Sequence, residues 1–283
     1  MTHTPLHILR MSRAELHLAL DWAAREGWNP GRQDADIFHS IDVRGHFMAW
    51  QGEEPVACIS GLRYGVSYGF IGLYIVQPEW RGRGLGMAVW NAALDHLKGC
   101  VVGLDGVVEQ QHNYRRSGFD LAWHNRRYQT MGHAPRPRGP HVVKLTSVPF
   151  ELLASYDRAF HPEARPVFLQ AWIQQRQGMA LGWLEDGRLR GYGVVRACAE
   201  GHKIGPLCAD TPAIADALLD ALLGCVMLKE PVFLDIPEPN REAIALAERL
   251  GMTPGFPTAR MYRGPAPRLD LARQYALTAL EVG

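Results

Sequence analysis

The chain has 283 residues, enough for two domains of ordinary size, and its 47% hydrophobic and 21% charged residues are typical of a folded globular protein. Thirty basic and 29 acidic side chains give a formal net charge of +1, which excludes the overall basic field of a nucleic-acid or anionic-membrane binder. Residues 1–10 contain no apolar signal segment, and no run of about 18 apolar residues occurs, so we expect a cytoplasmic protein. The five cysteines form no Cys-x-x-Cys pair, and we expect them to be reduced thiols.

The first half of the chain carries alternating helix and strand signals. Ser12 and Glu15 have the spacing of a capping box, and apolar residues at helical spacing continue to Gly27, which predicts a first helix. Apolar or alternating runs between turn residues then predict three antiparallel strands. The further predicted elements are a helix over 34–41, strands over 46–50, 56–64 and 68–76, a helix ending near Lys98, a strand over 101–104, a helix over 110–117 and a strand over 121–130.

A proline-rich segment separates this half from the rest. Residues 133–140 contain three prolines and a glycine, a composition that favours an extended and stiff connection. We therefore predict an N-terminal domain over 1–133, a linker over 134–140 and a C-terminal domain over 141–283. The elements predicted in the second domain are a strand over 142–145, helices over 150–160 and 167–175, strands near 179–184, 189–198 and 202–208, a helix starting at Thr211, a strand over 232–236, a helix from Asn240 to Leu250 and a strand over 259–263.

Matching residues recur along the chain at one constant offset of 133 positions. The pairs are Trp50 and Trp183, Arg63 and Arg196, Ile71-Gly72 and Ile204-Gly205, and Gly118-Phe119 and Gly251-Met252. A single offset that also matches the predicted order of elements indicates an internal duplication, and two copies are too few for a solenoid. We expect an α/β protein of two tandem domains, each with a mixed, mostly antiparallel sheet flanked by helices.

The connection after the third predicted strand is rich in glycine and arginine. Gly82, Gly84 and Gly86 let the backbone turn its N–H groups inward, and the helix that follows adds unpaired N–H groups and a positive dipole end. Arg81 and Arg83 add full positive charges, so the connection predicts a diphosphate site. No Gly-Lys-Ser/Thr follows, which excludes a Walker A loop, and Gly-x-Gly-x-Gly after an antiparallel strand excludes a Rossmann site.

The segment from Val76 to Gly86, Val-x-Pro-x-x-Arg-Gly-x-Gly-x-Gly, resembles the coenzyme A loop of the GNAT superfamily, the GCN5-related N-acetyltransferases. The resemblance implies that backbone amides of 81–87 hold the pyrophosphate. It also implies that the backbone of residues 74–76, splayed from the next parallel strand, pairs with pantetheine like an added strand. The implied cofactor-binding residues are Tyr74, Ile75, Val76, Arg81, Gly82, Arg83, Gly84, Leu85, Gly86, Met87 and Asn113.

A second segment, from Asn113 to Phe119, resembles the Leu-Tyr-x-x-x-Gly-Phe segment of the same superfamily. In that family the tyrosine often protonates the departing thiolate, which makes Tyr114 the candidate catalytic acid. The chemistry is sound, because a phenol with an unperturbed pKa of about 10 keeps its proton at neutral pH and can donate it as charge develops on sulfur.

The base that would deprotonate the incoming amine is less evident. The third predicted strand and its end, 68–77, carry no carboxylate, although many relatives place one near that strand. Asp105, Glu109 and His112 lie close to Tyr114 in sequence, and each could act directly or through water. The remaining alternative is that the amine arrives neutral.

Residues 26–30 and 103–119 also resemble a bacterial subfamily, the YitH-like proteins, in which a second GNAT-like domain follows the acetyltransferase domain. The offset of 133 places residues 214–220 opposite 81–87, which removes all three glycines and both arginines, and it places Ala247 opposite Tyr114. We therefore expect a degenerate coenzyme A loop in the second domain. That domain would cover the acceptor site, supply substrate contacts or mediate a homodimer.

The resemblance implies an enzyme that transfers an acetyl group from acetyl-CoA, its co-substrate, to a primary amine of a small molecule or peptide by direct attack in a ternary complex. No metal is expected, because the twelve histidines and five cysteines have no metal-ligand spacing, and neither nucleic acid nor membrane is an expected partner. The alternatives are an acyl-CoA-sensing regulatory protein without turnover and an amino-acid N-acyltransferase that uses longer acyl-CoA. Four aromatic residues could line an acceptor pocket or belong to the core: Trp28, Phe38, Trp50 and Tyr64.

Overall fold

The computed structural model describes residues 5–283, and its helices and strands follow the predicted order. The first half contains β1 (Leu6–Arg10), α1 (Arg13–Arg25), α2 (Asp34–Ile41), β2 (His46–Gln51), β3 (Glu54–Tyr64), β4 (Tyr68–Val76), α3 (Leu85–His96), β5 (Val101–Val107), α4 (Gln111–Arg116) and β6 (Asp120–Met131). The second half contains β7 (Val142–Lys144), α5 (Phe150–Asp157), α6 (Pro166–Ile173), β8 (Gly178–Glu185), β9 (Arg188–Ala197), β10 (His202–Ala209), α7 (Pro212–Leu223), β11 (Pro231–Pro237), α8 (Arg241–Arg249), β12 (Thr253–Arg263) and β13 (Gln274–Ala276). The sequence pattern missed β1 and β13, since strands of five and three residues carry little periodic signal.

The strands of both halves join into one mixed sheet. Its order is β1-β2-β3-β4-β5-β12-β6-β11-β10-β9-β8-β7, and β13 pairs with β10. Within this order β4 and β5 are parallel, as are β10 and β11, while the other neighbouring strands are antiparallel. The mixed, mostly antiparallel α/β fold predicted for each half is confirmed.

The two halves exchange their last long strands. Strand β12 of the second half lies against β5 of the first, and β6 of the first half lies against β11 of the second. The two exchanged strands pair with each other at the centre, where Asn125 is opposite Thr258, the residue 133 positions later. The duplicated halves are therefore related by an approximate twofold axis near this pair.

Because of this strand exchange, the domain boundary predicted from the sequence does not divide the strands into two separate sheets. Strand β6 precedes the predicted linker at 134–140 yet pairs only with strands that follow it. The linker itself has no helix or strand, and Arg136 pairs with Asp220 of α7. The domain boundaries stay a prediction.

Three apolar clusters hold the helices on the sheet. One is shared by both halves and includes residues of α1, α2, α5 and α6, where Phe38 of α2 stacks on Trp172 of α6 at 6.3 Å. The other two lie on the opposite face, against α3 in the first half and against α7 and α8 in the second. None of the described helices is long and apolar enough to span a membrane.

The segment 277–283 is buried between the halves and explains one repeated feature of the sequence. The Tyr64 hydroxyl donates a hydrogen bond to the Val282 carbonyl at 2.8 Å. A Cβ at Gly72 would overlap the Glu281 carbonyl oxygen, and a Cβ at Gly205 would overlap the carbonyls of residues 277 and 278. Both glycines of the repeated Ile-Gly pair are thus needed because the same segment crosses both halves.

Candidate active site

A cleft opens where two parallel strands separate. Strands β4 and β5 are paired from Tyr68 and Val101 to Ile71 and Leu104, and they diverge beyond that point. A β-bulge interrupts the pairing of β4 with β3 at the same level, and Leu73 adopts a left-handed φ of 49°. The splayed geometry expected for residues 74–76 is present.

The cleft is the mouth of a cavity of about 870 Å³. It is lined by ten of the eleven residues implied for cofactor binding, namely Tyr74, Ile75, Val76, Arg81, Gly82, Gly84, Leu85, Gly86, Met87 and Asn113, and by Tyr114. Arg83 does not line it; its guanidinium lies over the Trp80 ring, 4.7 Å from the ring centre. The volume suits a cofactor-sized ligand.

The start of helix α3 is open toward this cavity. Gly82 and Gly84 have φ values of 76° and 80°, the left-handed region that favours glycine, and no side chain caps the helix. The corresponding helix α7 is capped by the Thr211 hydroxyl, which accepts from the Ile214 amide, and Pro212 removes another N–H group. The uncapped N–H groups at the start of α3 suit an anion, whereas α7 has a side-chain cap and one N–H group fewer.

The expected equivalence of residues 214–220 with the loop is wrong, because these residues lie inside helix α7. In the first half residues 77–84 connect β4 to α3, whereas in the second half only 210–211 connect β10 to α7. The offset of 133 breaks at this shortened connection. The glycine loop is absent from the second half rather than altered in sequence.

Arg81 is held at the cavity wall by two contacts. Its Nε donates to the Val76 carbonyl at 2.9 Å, and its Nη2 is paired with the Glu26 carboxylate. Its side chain is half exposed, so the charge faces both the cavity and solvent. The pair ties the loop to the end of helix α1.

Tyr114 of helix α4 lines the cavity, and its ring lies against Gly106 of strand β5. Its ring stacks on Trp90 with ring centres 5.8 Å apart, and a Cβ at Gly106 would overlap that ring. Burial raises the pKa of Tyr114 to about 12, with a smaller contribution from Tyr74. The phenol is therefore protonated at neutral pH, as a proton donor must be.

The three base candidates have different surroundings. Asp105 lines the cavity, but its carboxylate is fully buried in a two-bond ion pair with Arg260 at 2.6 and 2.7 Å and accepts from Asn125. Glu109 and His112 are outside the cavity lining. A carboxylate so fully bonded is poorly placed to take a further proton.

The end of the cavity away from α3 is built by both halves. Trp28 comes from the first half, while Phe256 and Thr258 of β12 and Leu280 and Glu281 of the last segment come from the second. Sequence reasoning missed the last four residues, and the repeated glycines at 72 and 205 were the one signal of a crossing segment.

The other aromatic candidates for an acceptor pocket belong to the apolar core. Phe38 and Tyr64 are buried in the shared cluster, and Trp50 packs against it. Trp28 is partly buried against the same cluster and also lines the cavity.

No group of three or more side chains suited to a metal ion occurs within residues 5–283. The anion-binding character of the cavity comes from the backbone N–H groups at α3 and from Arg81 and Arg116, which also lines the wall.

Comparison with protein families identifies the architecture. A model of the acetyltransferase (GNAT) family matches residues 13–119, and a model of an acetyltransferase (GNAT) domain matches residues 153–276. The chain belongs to the GNAT superfamily. Its two GNAT domains stand in tandem, as the resemblance in sequence implied.

Relatives that align over almost the whole chain support this assignment. The chain is 29% identical to holothin acyltransferase of Pseudoalteromonas sp. (strain SANK 73390) over 96% of its own length and 92% of the relative. It is 25% identical to the uncharacterized N-acetyltransferase YitH of Bacillus subtilis (strain 168), covering 98% of each chain. A candidate acetyltransferase from Pyrococcus horikoshii has the same fold, with a TM-score of 0.84 at 21% identity over 100% of this chain and 98% of that one.

Proposed function

We propose that this GNAT protein is a cytoplasmic N-acetyltransferase that transfers an acetyl group from acetyl-CoA to a primary amine. The observation that carries the proposal is the uncapped start of helix α3, which opens on a cavity that also contains the phenol of Tyr114. The similarity to holothin acyltransferase supports acyl transfer as the reaction. The free state of all five cysteines is compatible with the proposed compartment.

The proposed roles follow from the chemistry of each group. Backbone N–H groups from Gly82 to Met87 would bind the diphosphate, and the diverging edge of β4 would pair with the amides of pantetheine. Asn113 lines the same part of the wall, while Arg83 contributes only long-range charge because it lies outside the cavity.

The reaction would proceed by direct attack. The lone pair of the neutral amine forms a bond to the thioester carbonyl carbon, the carbon–sulfur bond breaks, and the sulfur takes the proton of the Tyr114 hydroxyl. The nitrogen loses its own extra proton, which restores the phenol through solvent, so that amide and free thiol are the products. Most of the rate enhancement would come from positioning the two reactants in one cavity.

The first test is binding of acetyl-CoA, measured by isothermal titration calorimetry. Arg81→Glu should weaken binding by about tenfold or more, because it replaces a cation beside the phosphate site with a second carboxylate next to Glu26. Arg115→Glu changes the net charge equally at an exposed position outside the cavity and should leave the affinity within about twofold. Equal affinities of wild type and Arg81→Glu, or no binding at all, would contradict the proposal.

Turnover then separates an enzyme from an acyl-CoA sensor. Release of free thiol should occur with at least one compound of a panel of amines, amino acids, polyamines and peptides. Repeating the assay with longer acyl-CoA thioesters identifies the preferred acyl chain, and saturable binding with no thiol release from any pair would favour the sensor.

A further inference from the structure

Six charged side chains are buried together next to the part of the cavity wall formed by Trp28, Phe256 and Glu281, which we call the acceptor end. They are Asp34, Arg127, Arg196, Lys203, Asp235 and Glu281, each at most 6% exposed. Three carry positive and three carry negative charge, so the group is balanced when all are ionised. Such a group is stable in a protein interior only if its members are paired and hydrogen-bonded.

Five of the six have partners. Arg127 makes two bonds to Asp235 at 2.7 and 2.9 Å, and Arg196 makes two to Asp34 at 3.0 and 3.3 Å. The Lys203 ammonium donates to the carbonyl of Trp28 at 2.9 Å. Arg196 keeps one buried nitrogen, Nη1, without a hydrogen-bond partner, and the partner of Lys203 is a neutral carbonyl rather than a carboxylate.

Glu281 is the exception. Its Oε2 is buried and accepts no hydrogen bond from any residue within 5–283, and no described cation lies within 4 Å of its carboxylate. Arg127, Arg196 and Lys203 act on it only at longer range. A buried carboxylate oxygen without a donor costs free energy, so a ligand that brings a donor gains by binding there.

Glu281 is also the member of the six that lines the cavity. The other carboxylates in the cavity wall are already bonded to cations, Glu26 to Arg81 and Asp105 to Arg260. The acceptor end therefore presents one negative group that lacks a bonded cation, beside the aromatic side chains of Trp28 and Phe256.

The backbone places Glu281 on the acceptor side of β4. Its carbonyl lies against Gly72, next to Phe70, whose side chain belongs to the cluster of α1 and α2. Ile71 points the other way, into the cluster of α3. The backbone of Glu281 and the N–H groups at the start of α3 thus lie on opposite faces of the sheet beside the cavity.

We propose that Glu281 receives the acceptor as an ammonium group, which gives up one proton to solvent before the resulting neutral amine attacks, so that the protein selects amines that are cationic at neutral pH. An ammonium brings three N–H donors and the charge that an unpartnered carboxylate accepts most strongly. The inference rests on the proposed function, and it assigns to the second half of the chain the recognition of the acceptor.

Paired coenzyme A thioethers test this without knowledge of the natural acceptor. S-aminoethyl-, S-aminopropyl- and S-aminobutyl-coenzyme A each carry an ammonium, and S-propyl-, S-butyl- and S-pentyl-coenzyme A replace it with a methyl group. In calorimetry, wild-type protein should bind at least one ammonium compound about tenfold more tightly than its methyl partner. In Glu281→Gln this preference should disappear, while the affinity for the methyl compounds changes by less than about twofold.

Two further variants separate recognition from folding. Glu281→Asp keeps the charge of the buried group and should retain part of the preference, and Glu26→Gln alters a cavity carboxylate that is already bonded and should leave the preference intact. Equal binding of both members of every pair by wild type, or a preference that survives Glu281→Gln, would overturn the inference while the coenzyme site stands. Binding of neither compound would instead remove the coenzyme site and this inference with it.

Discussion

Replacement of Tyr114 by phenylalanine should lower kcat by about a hundredfold or more and leave the affinity for acetyl-CoA unchanged. The variant keeps the ring that stacks on Trp90 and lies against Gly106, so the change removes only the hydroxyl. Initial rates of thiol release give kcat, and calorimetry gives the affinity. A loss of affinity equal to the loss of rate would mean that the hydroxyl only positions the coenzyme.

The pH dependence sharpens this expectation. Burial raises the pKa of Tyr114 to about 12, so the acid form exists below that pH and is lost only above it. The ratio of wild-type to variant kcat should therefore be constant from about pH 7 to about pH 10.

Tyr275→Phe is the matched control. Burial also raises the pKa of Tyr275 to about 12, but this tyrosine lies in β13, outside the cavity. Its variant should keep the wild-type kcat. A wild-type rate in Tyr114→Phe, or an equal loss in both variants, would exclude Tyr114 as the proton donor.

The parts of the site that sequence could predict are encoded by neighbouring residues. Glycines at 82 and 84 occupy left-handed positions that other residues disfavour, and the loop they form leads directly into α3. Tyr114 precedes Gly118 by four residues on a short helix, so its position near β5 also follows from local sequence. Such patterns can be recognised in the sequence because the residues that satisfy the physical constraint are neighbours along the chain.

The strand exchange depends on contacts that no local pattern contains. Strands β6 and β12 hold equivalent places in the two halves, and each could in principle pair with β5 or β11, the strand that precedes it in its own half or the one in the other half. The choice is made by specific side chains that meet only after folding, such as Asp105 with Arg260 on β5 and β12 and Arg127 with Asp235 on β6 and β11. The acceptor end was missed for a similar reason, because Phe256 reaches the cavity on the exchanged strand β12 and Glu281 reaches it on the segment 277–283, which crosses both halves.

The constant offset of 133 residues gave a wrong equivalence for a different reason. It matched β3 with β9 and β4 with β10, and it failed where the connection to the next helix lost six residues. A deletion shifts every later comparison until a compensating insertion restores the register. Matching identical residues on both sides, such as Gly72 with Gly205 and Gly118 with Gly251, therefore hid the gap between them.

Arg260→Met should produce the largest loss of stability, about 3–5 kcal/mol, because it leaves the fully buried Asp105 carboxylate without its cation. The guanidinium makes two bonds to Asp105 across the junction of β5 and β12 and donates a third to the Tyr262 hydroxyl at 3.3 Å. It also packs over Phe70 at 5.1 Å. Urea denaturation should report the loss of free energy, and thermal unfolding should show a Tm lower by roughly 10 °C.

A matched change on the neighbouring strand separates burial from charge. Arg126 on β6 also pairs with a carboxylate across strands, Glu238 at 3.1 Å, but both side chains are about one-third exposed. Arg126→Met should therefore cost less than about 1 kcal/mol. Equal losses for the two variants would mean that the buried pair does not hold the exchanged strand.

The double variant Asp105→Leu/Arg260→Met tests the origin of the loss. Removing both charges leaves no unpaired buried carboxylate, so most of the stability lost in Arg260→Met should return. Asn125 would still lose the acceptor for its amide, which donates to Asp105 at 2.9 Å, so recovery should be incomplete. The affinity for acetyl-CoA should be measured in the same variants. If Arg260→Met weakens it and the double variant restores it, β12 contributes to the site by closing the sheet beside β5. The Asp105 carboxylate is then not required for coenzyme binding.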